Sequence, residues 1–344
     1  MDDQEQADGP EPSAPPPSSP STIARIIGAC IVASSVALGI YWLIEAVQPN
    51  GGLVSFSFLL FLPAAICAFL SYVIDPQGRR TVGYYLSIPL WVLGAVVAIS
   101  LVLLREGVIC VILLSPLWMV SGLAGSLATY KMRKRIRNRQ SYCIAILALP
   151  LVAMQVEPHI PLPAEMADVS RSIVIAAPPE RIWPMLRGIP DVRPDEGRWN
   201  ITQDVIGVPR PLGARLVGEG VGADRHADWG HHVRFRERIT HWVPGRVIAW
   251  RFLFDDVAGW AYTDRHLMPN SPYFRVTTGG YQMRPEGGGR TRLTLSTQYR
   301  IQTPVNAYSR LWGELFLGDL ENNLLALIKA RAEQHADAGR PTAL

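Results

Sequence analysis

Residues 291–328 read TRLTLSTQYRIQTPVNAYSRLWGELFLGDLENNLLALI, and their apolar period changes part-way. Leu293, Leu295, Thr297, Tyr299 and Ile301 share one face, with Arg292 and Arg300 opposite, which is the two-residue period of a strand. Tyr308, Leu311, Trp312, Leu315, Phe316, Leu320, Leu324, Leu327 and Ile328 then recur at spacings of three and four. Arg310, Glu314, Asp319, Glu321 and Lys329 fall largely elsewhere. The pattern predicts a strand over Thr291–Ile301 and a long helix from about Asn306 to Glu333. An amphipathic helix that follows an antiparallel sheet must lie on that sheet to bury its stripe.

Upstream, the same alternation predicts strands at Ser170–Ala176, Ala214–Gly220, Asp224–Trp229, His232–Trp242, Arg246–Phe254 and Tyr273–Arg284. Gly287-Gly288-Gly289 turns the last pair as a hairpin. Ala177-Pro178-Pro179-Glu180 opens a short helix, Glu180–Leu186; proline in a first turn costs little, and Pro184 keeps the helix short or kinked. The α+β domain is expected over residues 169–335, after a proline-bearing linker at 157–168 and before a tail at 336–344.

The first half differs in kind. Residues 1–22 are rich in Pro, Ser, Asp, Glu and Gln and predict a disordered tail. Four apolar runs follow, Ile23–Val47, Leu53–Ile74, Val82–Leu104 and Val108–Tyr130, each long enough to cross a hydrocarbon core of roughly 30 Å. They lack the polar faces that buried helices of a water-soluble protein would show. Asn50-Gly51-Gly52 and Asp75-Pro76-Gln77-Gly78 mark the first two turns. A fifth run, Tyr142–Val156, is shorter and contains Pro150.

Lys131, Arg133, Lys134, Arg135, Arg137 and Arg139 form a basic block after the fourth run, and Arg79 and Arg80 sit between the second and third. Both loops are expected in the cytoplasm, together with the N-terminus, as in a multi-pass inner-membrane protein. If the fifth run spans, as its uncharged stretch Cys143–Val156 favours, the α+β domain lies outside the cytoplasm; otherwise it lies within. The net charge of +4 is mixed in sign and makes no nucleic-acid face. Cys30, Cys67, Cys110 and Cys143 all fall in apolar runs, so the α+β half has neither a disulfide framework nor a cysteine zinc site.

The order strand, Ala-Pro-Pro-Glu-Arg-Ile-Trp helix (residues 177–183), sheet, long C-terminal helix resembles the START-like superfamily, also called SRPBCC. Residues 220–250, GVGADRHADWGHHVRFRERITHWVPGRVIAW, and residues 289–315, GRTRLTLSTQYRIQTPVNAYSRLWGEL, resemble its polyketide cyclase/dehydrase branch. The chain as a whole resembles bacterial membrane proteins that fuse several N-terminal spans to such a domain. The resemblance implies an α-helical transmembrane bundle followed by an α+β helix-grip domain, with a curved antiparallel sheet and a cavity for apolar ligands between sheet and helix. It implies no single chemistry.

Alternation nominates the cavity lining. Along His231–His241, the odd positions His231, Val233, Phe235, Glu237, Ile239 and His241 should face inward, since Arg234, Arg236 and Arg238 cannot. The expected ligand-binding residues are Phe235, Glu237, Ile239, Leu295, Tyr299, Trp312, Leu315 and Phe316. Glu237 and Tyr299 are the candidates for acid–base catalysis; the alternative for Glu237 is a structural ion pair with Arg225 or Arg246. His226, His231, His232, His241 and His266 alternate between faces and are not expected to converge on a metal. Trp229, Trp242, Trp250, Trp260 and Trp312 either line a pocket or fill core, and the loop Asp255–Pro272 is a cavity lid, a membrane-touching flap or an ordinary packed loop.

No nucleotide, P-loop, serine-nucleophile or redox-thiol motif is present, and no cofactor is expected. Three functions stay open. The first is membrane-anchored binding of a hydrophobic small molecule or lipid, with the bilayer as partner. The second is a cyclase- or hydrolase-like enzyme, and the third a sensory or structural protein that binds a partner chain.

Overall fold

The computed structural model describes residues 20–47, 54–104, 108–135, 142–257, 259–260 and 268–337. Most of the expected N-terminal tail, the Asn50–Gly52 and Arg105–Gly107 turns, Arg137, Arg139, Tyr262, His266 and residues 338–344 lie outside them.

The apolar runs are helices: α1 (Pro20–Val47), α2 (Leu62–Ile74), α3 (Val82–Ile99), α4 (Val108–Arg135) and α5 (Tyr142–Val156). A π-helical turn, Ser57–Phe61, leads into α2, and another, Ser100–Leu104, extends α3. Four stretches, Thr22–Ile44, Ser57–Ile74, Val82–Val102 and Ile109–Lys134, are long and apolar enough to cross a membrane.

α2 and α4 pack side by side in the same direction. A Cβ on Gly125 would collide with the backbone of Ala64, so glycine permits the close approach. The Ser71 and Ser126 hydroxyls hydrogen-bond across the seam at 3.0 Å. One turn further, the Arg133 guanidinium donates to the carbonyls of Pro76 and Tyr72, at 2.7 and 2.9 Å. It also stacks on the Tyr72 ring, 3.8 Å from its centre.

α5 runs the opposite way. Just past its end, the Glu157 carboxylate accepts from the Phe56 and Ser57 amides, at 2.5 and 3.3 Å, and from the Ser57 hydroxyl at 2.8 Å. The first amides of a helix have no partner within it, and a carboxylate there also meets the positive end of the helix dipole. This cap sits at the opposite end of the bundle from Arg79, Arg80, Lys131, Arg133 and Lys134.

The C-terminal half is a seven-stranded antiparallel sheet in the order β1-β7-β6-β5-β4-β3-β2. Its strands are β1 (Glu165–Ile175), β2 (Pro211–Val217), β3 (Asp224–Trp229), β4 (Val233–Val243), β5 (Val247–Leu253), β6 (Phe274–Gly287) and β7 (Arg290–Ile301). Two short helices, α6 (Pro179–Arg187) and α7 (Ile201–Asp204), separate β1 from β2, and α8 (Asn306–Asp337) crosses the concave face. This is a helix-grip fold.

Several boundaries moved. β1 begins inside the expected linker, because Glu165 pairs with Ile301 and each residue after it gains a β7 partner. α7 was not expected; it is four residues long, capped by the Asn200 side chain, and too short to show a period. Gly287, Gly288 and Gly289 all have positive φ, as the β6–β7 turn requires.

Register shifts between Ile239 and His241 and between Val276 and Thr278 bend the sheet around α8. At one end of the gap, side chains fill the space: Ile175, Ile182, Leu186, Ile248, Leu293, Leu325 and Ile328 form the main core. Near the start of α8, the Tyr299 ring lies so close to Gly313 that a Cβ there would overlap its hydroxyl and ring edge. Alanine is the better helix former by about 1 kcal/mol. Gly313→Ala should nonetheless destabilise the protein by a net ~1–3 kcal/mol through overpacking, read as a lower thermal unfolding midpoint.

Candidate functional site

Between the sheet and the first half of α8, the interior is hollow. The cavity has a volume of about 310 Å³, near the lower end of the range for small-molecule sites. Its sheet wall carries an aromatic cluster. Phe235 lies 5.8–6.0 Å, centre to centre, from each of Trp229, Phe252, Phe254 and Trp260. Trp250 and Tyr281 continue it at 5.4 Å. Trp312, Phe316, Leu320 and Leu324 of α8 form the opposite wall.

The remaining wall belongs to the other half of the chain. Ile109, Cys110, Leu113, Leu114 and Leu117 of α4, with Val54 and Leu59 before α2, line the same cavity. Ile109 is buried against Ile206 and Val208, with Ile112, Leu113, Phe316 and Leu320 packed around them. The Tyr308 hydroxyl donates to the Leu113 carbonyl at 2.6 Å. A second hollow, of about 410 Å³, lies among α1, α2, α3 and α4. Cys110 and Leu114 line both, so one face of α4 separates the two spaces.

Three charged side chains line the cavity: Arg225, Glu237 and Glu321. Arg225 on β3 faces Glu237 on β4 across a paired register, and the two form a buried ion pair through Nη1 and Oε2. Desolvation pushes the Glu237 carboxyl above its usual range, opposed by the Arg225 charge. Desolvation also works against the Arg225 charge, but Glu237 and Tyr281 keep its proton on. Glu321 on α8 is only 2% exposed, and neither of its carboxyl oxygens has a hydrogen-bond partner among the described residues. Burial raises its pKa from 4.5 to about 8, partly offset by the Thr297 hydroxyl and by the Arg171 charge and backbone amide, which lie near the carboxyl without completing a hydrogen bond.

The expected residues divide. Phe235, Glu237, Leu295, Trp312 and Phe316 line the cavity. Ile239 belongs to the filled core. Leu315 lies off the cavity wall. Tyr299 packs with Val169, Ile301, Phe274 and Leu317 beneath α8, directly behind lining residues but not itself on the cavity wall. His241 faces outward, because the irregularity after Ile239 flips the alternation, and Trp242 takes the inward side against Trp183. His231 and His232 form the exposed β3–β4 turn with positive φ, so β4 begins only at Val233.

Glu237 is therefore the ion-pair member that alternation allowed, with Arg225 as its partner. Sequence reasoning missed Glu321, because helical period placed it among the polar residues of α8. It also missed the α4 residues, which nothing local ties to the sheet. Among the described residues, no group of three or more His, Cys, Asp or Glu side chains converges as a metal site would require.

The comparisons bear on this half of the chain. Residues 166–333 match the family model described as Polyketide cyclase / dehydrase and lipid transport. That segment is a polyketide cyclase/dehydrase-type, SRPBCC-like domain. Among solved structures, the chain is similar to the Zhui aromatase/cyclase from Streptomyces sp. R1128, at 19% identity over 52% of this chain and 100% of that one, with a TM-score of 0.33. It is also similar to norcoclaurine synthase from Thalictrum flavum, at 11% identity over 51% and 99%, with a TM-score of 0.32. A protein from Thermus thermophilus, TTHA0849, is 18% identical over 49% and 99%, with a TM-score of 0.29. No curated protein matches the chain.

Two outcomes follow for this SRPBCC-like domain. Arg225→Ala leaves the Glu237 carboxyl buried without its cation and should cost ~3–5 kcal/mol in chemical denaturation, whereas an Arg225→Met/Glu237→Leu double variant should recover most of that loss. Because the Glu321 pKa is higher in the folded chain than its ordinary 4.5, the unfolded chain releases this proton first. Its contribution to stability should be complete below pH 4.5 and decline as the pH rises through about 8. Glu321→Gln should remove that part of the slope in unfolding midpoints measured from pH 5 to 9.

Proposed function

We propose that this protein binds an apolar, membrane-derived molecule in the cavity between its sheet and α8, and that the N-terminal helices hold the domain at the bilayer to receive it. The observation that carries the reading is the shared wall. α4, one of the helices long enough to span, closes the cavity with Ile109, Leu113 and Leu117 and borders the hollow among the helices with Cys110 and Leu114. A molecule in the hydrocarbon layer thus has an apolar surface leading to the domain. An aromatic and aliphatic lining with few polar groups suits such a ligand.

The domain lies on the non-cytoplasmic side in this reading. Support comes from α5, which runs antiparallel to α2 and ends at the Glu157 cap, away from the basic loops. At 15 residues it measures about 22 Å, shorter than the roughly 30 Å hydrocarbon core, so a crossing here requires local thinning of the bilayer. Binding is favoured over acid–base catalysis because Glu237 is engaged by Arg225 and Tyr299 lies off the cavity wall.

Native mass spectrometry of the full chain released from micelles tests the reading. A co-purifying amphiphile should appear as an adduct and be largely lost in Leu320→Trp, which fills the space between Phe316 and Trp260. An adduct-free protein that takes up no added lipid would rule the reading out.

A further inference from the structure

Most buried polar groups in folded proteins are hydrogen-bonded, and an exception at a cavity wall calls for a partner from the cavity. Glu321 is such an exception. Its carboxyl is buried, lines the cavity and has no hydrogen-bond partner among the described residues. Every charge near it is already committed. Arg171 of β1 reaches α8 but pairs with Glu314 at 2.6 Å. Arg225 of β3 pairs with Glu237 of β4. The Thr297 hydroxyl of β7 and the Arg171 backbone amide of β1 approach the carboxyl and favour its charged form, but neither completes a hydrogen bond to it, and Tyr281 of β6 also faces it. The Nε1 of Trp260, on the same cavity, also lacks an acceptor among the described residues.

We propose that Glu321 is the polar anchor of the cavity, and that its ligand is an uncharged amphiphile whose hydroxyl or carbonyl oxygen meets this carboxyl while its chain lies along the aromatic wall towards α4. An anionic head would find Arg225 as the cation of the described wall, its charge already matched by Glu237 although its Nε has no acceptor among the described residues, so a palmitate probe tests this class directly. A cationic head would meet a carboxyl whose neutral form burial favours, and an amine probe tests this class directly. A hydroxyl accepts from the protonated carboxyl and donates to its carbonyl oxygen, satisfying both atoms at once. The inference rests on the cavity being a ligand site.

Photocrosslinking of the full chain in membranes separates the two claims. The probes are diazirine-bearing hexadecanol, hexadecane, palmitate and hexadecylamine of matched chain. Yield is read on peptides covering residues 290–301 and 313–328. In the wild-type chain the alcohol should label these peptides about five- to tenfold more than the alkane, the worth of one or two hydrogen bonds. Glu321→Leu should bring alcohol labelling down to the alkane level while alkane labelling persists, which also reports an intact cavity. Glu321→Gln, which can both donate and accept, should keep most of the preference. An alcohol preference that survives in Glu321→Leu would overturn the anchor, and stronger wild-type labelling by palmitate or the amine would overturn the uncharged class. If no probe labels these peptides in the wild-type chain, the ligand-site reading falls and the anchor with it.

Discussion

One helix has to satisfy two apolar surfaces. The far half of α8 lays Leu325 and Ile328 into the filled core over Ile175, Ile248 and Leu293. Its near half carries Trp312, Phe316 and Leu320 past the end of that core, where the sheet curves away and no side chain reaches across. Exposed to water, these residues would cost about 1.5–3 kcal/mol each. α4 meets them instead, through Ile112 and Leu113 beside Phe316 and Leu320. The cavity, its closure and the seating of the domain on the helical bundle all follow from this shared burial.

The electrostatics of the cavity follow from its apolar lining. An ion pair inside an apolar space survives only when both members find each other, and the β3–β4 register brings Arg225 opposite Glu237. Their charges cancel locally, and Arg171 is similarly held by Glu314 outside. Glu321 has only the distant help of Arg171 and Thr297 and no completed hydrogen bond among the described residues, and burial favours its protonated form. A largely aromatic wall whose one acid–base couple, Arg225 and Glu237, is locked in an ion pair differs from the free acid and base that acid–base catalysis needs.

Much of this was legible in the residues. The two-residue period of β7 survives because one face of the strand is buried along its length, while on α8 the three-four stripe is fully buried only at Leu327 and Ile328 in the far half and Leu311 at the near end is exposed. Phe235, Glu237 and Leu295 face inward as alternation requires. The pattern failed wherever the backbone broke it. An irregularity of a single residue after Ile239 turned His241 out and Trp242 in, and no residue type in that stretch announces it. Tyr299 faces inward as its strand period says, yet α8 approaches so closely at Gly313 that the ring is sealed under the helix and never reaches the cavity.

The sequence by itself determined the two-part organisation, since hydrophobic runs of spanning length and alternating charged strands are local properties of the chain. It also determined the last hairpin, through Gly287–Gly289, the closing helix and the side of the β4 strand that faces inward. Only the tertiary structure decided that α4 walls the cavity, that Arg225 neutralises Glu237, and that Glu321 is stranded among apolar side chains. Those three facts depend on residues 12 to more than 200 positions apart meeting in space. Local periodicity carries no information about which apolar surface will cover another.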